Sequence, residues 1–301
     1  MGPVKATWRW ALITAVAPIT WGSTYFVTAH FLPANIPLWG SALRALPAGL
    51  VLLLLARRLP HGSWWWRSVV LGVLNFGGFF TLIYLSAILL PSSVAASIMA
   101  LAPLVMGAMG WLVLAERPTG WMATGAALGI LGVLAIVGAG LSPANPWGVL
   151  TSLSALAMSS VGAVLNKKWS RDVPVLASTA WQAVVGGLLL VVVAAVVEGP
   201  VPSFTGTQLL AFAYISLIAT ALASVCWFAG LRHLAAGTVG IVGLLNPVTG
   251  VALGTLAAGE QLTWWQGAGM ALVLLGIVLG RRESAPRDQA ADPPAVEGSD
   301  A

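Results

Sequence analysis

The chain has 301 residues, 58% of them hydrophobic and 8% charged, with a formal net charge of +5. Soluble domains carry about 25% charged residues, so this composition excludes a water-soluble enzyme, a nucleic-acid binder and a disordered chain. Its single cysteine, Cys226, excludes a disulfide framework and a cysteine-based zinc site.

A membrane helix needs about 20 largely apolar residues to cross a hydrocarbon layer about 30 Å thick. On that measure the sequence predicts ten spans: 10–31, 36–56, 68–89, 92–115, 119–140, 146–166, 174–197, 207–231, 236–258 and 263–280. The first span exceeds the apolar core of a secretory signal and lacks a small-residue cleavage site before polar sequence. It carries Trp21-Gly22-Ser23-Thr24-Tyr25, and Trp21 lies too deep for an interfacial belt. The second span holds Arg44. The third follows Trp64-Trp65-Trp66-Arg67, an interfacial anchor, and contains Asn75-Phe76-Gly77-Gly78 with Phe79 next to it. Residues 68–115 form a charge-free run of 48, and 118–166 another of 49. Asn166, beside Lys167, reads as a boundary residue. Trp181 and Gln182 lie in the seventh span, Trp227 in the eighth and Asn246-Pro247 in the ninth. Connections are short and rich in Pro and Gly, which leaves no room for a soluble catalytic module. Residues 283–301 are polar and Pro-rich and read as a disordered cytoplasmic tail.

The positive-inside rule orients this chain. With the N-terminus inside, internal segments hold 13 of the 14 basic residues and external loops hold none; the fourteenth is Arg44. Both termini are therefore expected on the cytoplasmic side of the cell inner membrane.

The sequence also repeats. Shifted by 144 residues, 90–136 aligns with 234–280 at 14 identities in 47 positions. These include Leu101/Leu245, Pro103/Pro247, Glu116/Glu260, Gly125/Gly269 and Gly132/Gly276. Ala48-Gly49 matches Gly186-Gly187, and Leu43-Arg44 falls opposite Trp181-Gln182. Self-similarity at a fixed period signals a duplicated unit. Five spans per unit is odd, so the second unit enters the membrane upside-down. The expected fold is an all-α membrane protein with ten transmembrane helices in two inverted five-helix repeats, 1–142 and 143–282. Inverted repeats are a common transporter plan, with substrate held near the midplane between them.

Together these features resemble the drug/metabolite transporter superfamily, and within it the EamA-type exporters. The resemblance rests on the ten spans in two halves, the Trp21–Tyr25 motif, Arg44 and the paired stretches Pro103…Glu116 and Pro247…Glu260. It covers residues 9–281. It implies export of small metabolites, often amino acids, through a central cavity formed by both halves.

The candidate substrate-binding set is Arg44, Trp21, Tyr25, Asn75, Phe79, Trp181, Gln182, Trp227 and Asn246. A cation inside a span normally faces a partner or a wet cavity. Arg44 either offers its planar fork to a substrate carboxylate or phosphate, or snorkels outward and binds backbone carbonyls. Trp21 and Trp227 either wall a cavity and stack on ligands or pack between helices. Gly22 admits a neighbouring helix or a ligand. Asn246 lies before Pro247, which frees a carbonyl one turn earlier; it lines a cavity or satisfies that carbonyl, and Asn75 carries the same pair of readings. Trp181 and Gln182 stand between ligand contact and core packing. Gly125-x-x-x-Gly129 and Gly250-x-x-x-Gly254 allow close helix contact, within the chain or across a dimer.

Trp21, Trp227 and Arg44 together point to an apolar or aromatic molecule carrying a carboxylate. The expected partners are that small-molecule substrate and the lipid bilayer, not nucleic acid, with the protein a monomer or homodimer. No phosphate-cradling loop supplies ATP drive. His30, His61 and His233 are widely spaced and offer no metal site, and no cofactor is implied. The competing reading is an intramembrane enzyme or lipid-handling protein, which the scarcity of intramembrane acids, His and Cys disfavours.

Overall fold

The computed structural model describes residues 3–33, 35–89, 98–99, 101–137, 145–257 and 264–280. The 283–301 tail, the 142/143 boundary and Glu260 lie outside the described residues, as do the side chain of Tyr25 and the packing of Gly250 and Gly254.

Among the described residues all regular structure is helical. Helix α1 spans Pro3–Phe31 and α2 Pro37–Ala56. Helix α3 (Trp64–Gly72) passes through a π-helical turn, Val73–Gly77, into α4 (Gly78–Leu89). Then come α5 (Ala102–Leu114), α6 (Gly120–Val137), α7 (Pro146–Trp169) and α8 (Val175–Val197). Helix α9 (Gly206–Ala213) runs through a longer π-helical stretch, Tyr214–Leu222, into α10 (Ala223–His233). The chain closes with α11 (Ala236–Gly243), α12 (Leu245–Ala257) and α13 (Trp264–Gly280).

Among the described residues six segments are long and apolar enough to cross a membrane: Trp8–Thr28, Pro37–Ala56, Trp64–Ser86, Pro146–Trp169, Val175–Val197 and Gly206–His233. Shorter apolar helices fall within the other four expected spans. Leu54, Leu112, Leu210 and Val196 are 70–81% exposed on the outside of the bundle. Such apolar surface is costly in water and is at home in hydrocarbon, where only internally satisfied backbone survives. The chain is a multi-pass membrane protein.

Local chemistry sets the helix ends. Asn145 Oδ1 accepts the Trp147 N–H at 2.9 Å, with Pro146 at the first helical position of α7. Thr205 and Gln208 form a reciprocal capping box at the start of α9. Ile36 cannot cap α2. Glu198, just past the end of α8, does so instead, accepting from Leu38 N at 2.7 Å and Trp39 N at 2.9 Å. A carboxylate there also meets the positive end of the helix dipole.

Packing runs through small residues. Helix α2 lies on α8, where an ideal Cβ on Gly49 would stand 2.5 Å from Val184 N, and one on Gly187 would stand 2.7 Å from Leu46 N. The correspondence of Gly49 with Gly187 carries Leu46 onto Val184, so each contact is the other's counterpart. Helix α6 lies on α13 in the same way. A Cβ on Gly125 would meet Gly276 O at 2.6 Å, and one on Gly132 would meet Gly269 O at 2.6 Å. The 144-residue shift exchanges these two contacts. Gly125 therefore serves a seam within the chain.

Candidate functional site

A cavity of about 400 Å³ lies in the middle of the bundle. Helix α1 lends it Trp21, Thr24 and Thr28, one face at helical spacing, and α2 lends Gly40, Ser41 and Arg44. The third membrane segment presents adjacent pairs, Asn75-Phe76, Phe79-Phe80 and Ile83-Tyr84. The π-helical turn at Val73–Gly77 lies at the start of this broad face; such turns recur at functional sites. Met106, Ser159 and Ala163 line it from α5 and α7; Ser224, Trp227 and Phe228 from α10; Leu244, Asn246 and Pro247 from the break between α11 and α12. At one end the cavity reaches Leu32 and Pro33, the connection after α1.

Arg44 is the only cation lining it, and no carboxylate lines it, among the described residues. Its Nε donates to Thr220 Oγ1 at 2.9 Å, and its guanidinium carbon stands 4.3 Å from the Phe80 ring centroid. Thr220 is buried in the second π-helical stretch. The aromatic face and the hydroxyl hold the guanidinium at the cavity wall.

Trp21 and Trp227 meet at 5.1 Å between centroids, tilted by 54°. Trp227 fits because Gly243 lacks a side chain: a Cβ there would touch the indole at 3.3 Å. Gly22 admits a helix, since its Cβ would stand 2.5 Å from Asn246 O of α12.

Asn75 lines the cavity and belongs to a buried amide chain. Its Nδ2 donates to Gln182 Oε1 at 2.8 Å; Gln182 Nε2 donates to Asn166 Oδ1 at 2.8 Å and to the Ser178 carbonyl at 2.9 Å. Gln182 and Asn166 are almost wholly buried. Gln182 thus stands behind Asn75 instead of lining the cavity, and Asn166 is tied into the same chain. Trp181 is elsewhere. It packs on Trp64 at 5.3 Å and donates from Nε1 to the Arg58 carbonyl at 2.7 Å. There it walls a separate crevice of about 230 Å³ with His61 and Asp172. The cavity thus gathers Arg44, Trp21, Asn75, Phe79, Trp227 and Asn246 from the candidate set.

The other end of the bundle is closed. Trp10 stacks on His233 at 3.6 Å. Glu116, beyond α5, pairs with Lys167 of α7 at 2.5 Å and accepts the Ala236 N–H of α11 at 2.9 Å. Lys167 Nζ also donates to the Leu234 carbonyl.

Sequence reasoning missed Ser41, Phe80, Tyr84 and Thr28. Helical spacing was the available signal: Ser41 is three residues before Arg44, Thr28 seven after Trp21, and Phe80 and Tyr84 continue from Phe76 in steps of four.

The EamA-like transporter family model matches residues 8–138 and 146–280. Protein PecM of Dickeya dadantii (strain 3937) is 35% identical over 266 residues, 87% of this chain and 89% of that protein. The uncharacterized inner membrane transporter YedA of Escherichia coli (strain K12) is 27% identical over 273 residues, 87% of each chain. A probable amino-acid metabolite efflux pump of Salmonella typhimurium (strain LT2) is 27% identical over 217 residues, 68% of this chain and 73% of that one. A solved crystal structure superposes with a TM-score of 0.78 over 92% of this chain and 96% of its own, at 22% identity, a likeness of fold.

Proposed function

The chain belongs to the EamA-like transporter family, a family of transporters and not of enzymes, and from this we propose a secondary exporter of small metabolites such as amino acids. It works across the cytoplasmic membrane by alternating access. Ten membrane helices form two inverted five-helix repeats, 1–142 and 143–282, and the substrate sits in the cavity between them. The cavity carries this reading: its lining draws on both matched segments and includes one guanidinium and several aromatic rings. The interchanged glycine contacts of α2 with α8 and of α6 with α13 support a twofold relation between the repeats. With both termini cytoplasmic, as the basic residues favour, the connection at Pro33 is external. The cavity then faces outward, closed inside at Glu116, Lys167 and His233.

The test is counterflow in proteoliposomes of the purified protein, without ATP. Liposomes preloaded with an unlabelled amino acid mixture are expected to accumulate labelled amino acids saturably. An excess of unlabelled amino acid outside should abolish that accumulation. Flux that rises linearly without saturation would replace the carrier by a channel.

A further inference from the structure

Arg67 holds its charge in a way that its basic neighbours do not. Its guanidinium carbon lies 5.9 Å from the Trp64 ring centroid, 5.7 Å from that of Trp66 and 5.6 Å from that of Trp169. Trp66 and Trp169 meet edge to face at 5.1 Å, so the start of α3 and the end of α7 close around one cation. Rings of this kind satisfy the faces of a guanidinium, while its N–H donors lie in the plane and still need acceptors. Among the described residues they find none: the Arg67 side chain makes no hydrogen bond or ion pair, and its Nε is buried. By contrast, Arg232 donates to the carbonyls of Arg171 and Val173, and Lys167 pairs with Glu116. A buried charged donor without an acceptor is costly. The missing acceptor is one that comes from outside the chain.

The surroundings specify its chemistry. Lys168, exposed, precedes Trp169, and Arg58 is close by, since its carbonyl accepts from Trp181, which packs on Trp64. Asp172 lines the crevice on Trp181 and forms no ion pair with Arg67. An anion is therefore favoured, and a second cation such as choline or ethanolamine is repelled. Below the rings the surface is apolar. Trp66, Val69 and Val73, at i, i+3 and i+7, are all exposed and lead from Arg67 along the membrane segment Trp64–Ser86. A free phosphate has no use for that strip; an acyl chain does. Basic sites between membrane helices are suited to anionic lipid headgroups.

We propose that Arg67, framed by Trp64, Trp66 and Trp169, is a headgroup site for an anionic phospholipid. The in-plane N–H donors take the phosphate, and an acyl chain lies along Trp66, Val69 and Val73. The lipid joins α3 of the first matched segment to α7 of the second. The site stands apart from the central cavity and does not depend on what the protein transports.

The melting temperature of the delipidated full chain in a neutral detergent, titrated with dioleoylphosphatidylglycerol, reads the site. It should rise saturably, and dioleoylphosphatidylcholine or inorganic phosphate over the same range should leave it unchanged. Arg67→Lys keeps a charge but loses the stacked fork, and Arg67→Gln loses both. Each should raise the half-saturating phosphatidylglycerol concentration about tenfold, the scale of one charge-assisted hydrogen bond. Trp66→Leu, which removes one ring from an exposed position, should raise it about threefold and serves if neither Arg67 variant folds. Arg117→Gln, an exposed cation on the same expected side of the membrane, should change it less than about twofold. Equal stabilisation by phosphatidylcholine overturns the proposal, because the surface would then be reading acyl chains alone. Equal stabilisation by inorganic phosphate overturns the lipid assignment. An Arg117→Gln loss as large as that of Arg67→Gln, or an Arg67→Gln titration like that of the wild type, reduces the effect to diffuse attraction by basic loops and also overturns it.

Discussion

The contacts of Arg44 include two of different kinds, the Thr220 hydroxyl and the Phe80 face. Lysine keeps the charge but loses both the planar stack and the directed Nε–H. Arg44→Lys should therefore cut counterflow about tenfold, the scale of a lost bidentate contact, while detergent gel filtration stays monodisperse. Undiminished transport by Arg44→Ala would remove the residue from the substrate site. Much of this site was legible because polar and charged groups are rare in such a chain, so Arg44, Asn75 and Asn246 stand out. The partners of Arg44 were not legible. Thr220 is one hydroxyl among many, and it meets Arg44 only because the second repeat folds against the first. Trp181 and Gln182 show the same limit from the other side. They are adjacent in sequence, yet one faces a crevice at the bundle's end and the other faces Asn75. Nothing in the sequence tells which neighbour of a buried pair turns inward.

At the scale of helices, hydropathy made the long segments visible, and Pro247 made the break before α12 visible. That proline stands in the first turn of α12, where the missing N–H has no intrahelical acceptor. Pro103 opens α5 likewise. The π-helical turns were invisible, because a single extra residue per turn leaves no compositional trace. Helix seams allow a direct test. Gly276 sits 2.6 Å, by its would-be Cβ, from Gly125 O, and a backbone oxygen cannot rotate aside. Gly276→Ala should force α6 and α13 apart and cost about 1–3 kcal/mol, the usual range for overpacking. This is read as a lower melting temperature in detergent. Gly206→Ala, with open space around its Cβ, should leave the melting temperature unchanged. Helix α2 offers a second measurement. Glu198→Gln keeps one acceptor oxygen where the carboxylate uses two, so either Leu38 N or Trp39 N loses its partner and the charge facing the helix N-terminus goes too, a loss of about 1–3 kcal/mol. The melting temperature should fall. It should fall further for Glu198→Ala, which leaves both N–H groups without their partner.

Across the whole molecule, alternating access demands that the closed end open during each cycle. In this conformation that end is drawn together where α5 meets α11, near the Glu116–Lys167 pair. An ideal Cβ on Gly110 of α5 would stand 3.2 Å from the Ala236 Cβ of α11. Disulfides need Cβ atoms roughly 3.5–4.5 Å apart, so a small shift suffices to join cysteines placed there. The native chain has a single cysteine, Cys226, and Cys226→Ser provides a clean background. In it, Gly110→Cys with Ala236→Cys should form a disulfide on oxidation, tying the first repeat to the second at the expected cytoplasmic end. A carrier that must part these helices will stop when oxidised and recover when the disulfide is reduced, with the reduced protein as its own reference. The bond should leave ligand access from the Pro33 end intact, so the oxidised protein should still show a ligand-induced rise in melting temperature. Full-rate counterflow through the oxidised form would mean that the solute crosses without α5 and α11 separating, and the rocking of two inverted halves would have to be given up.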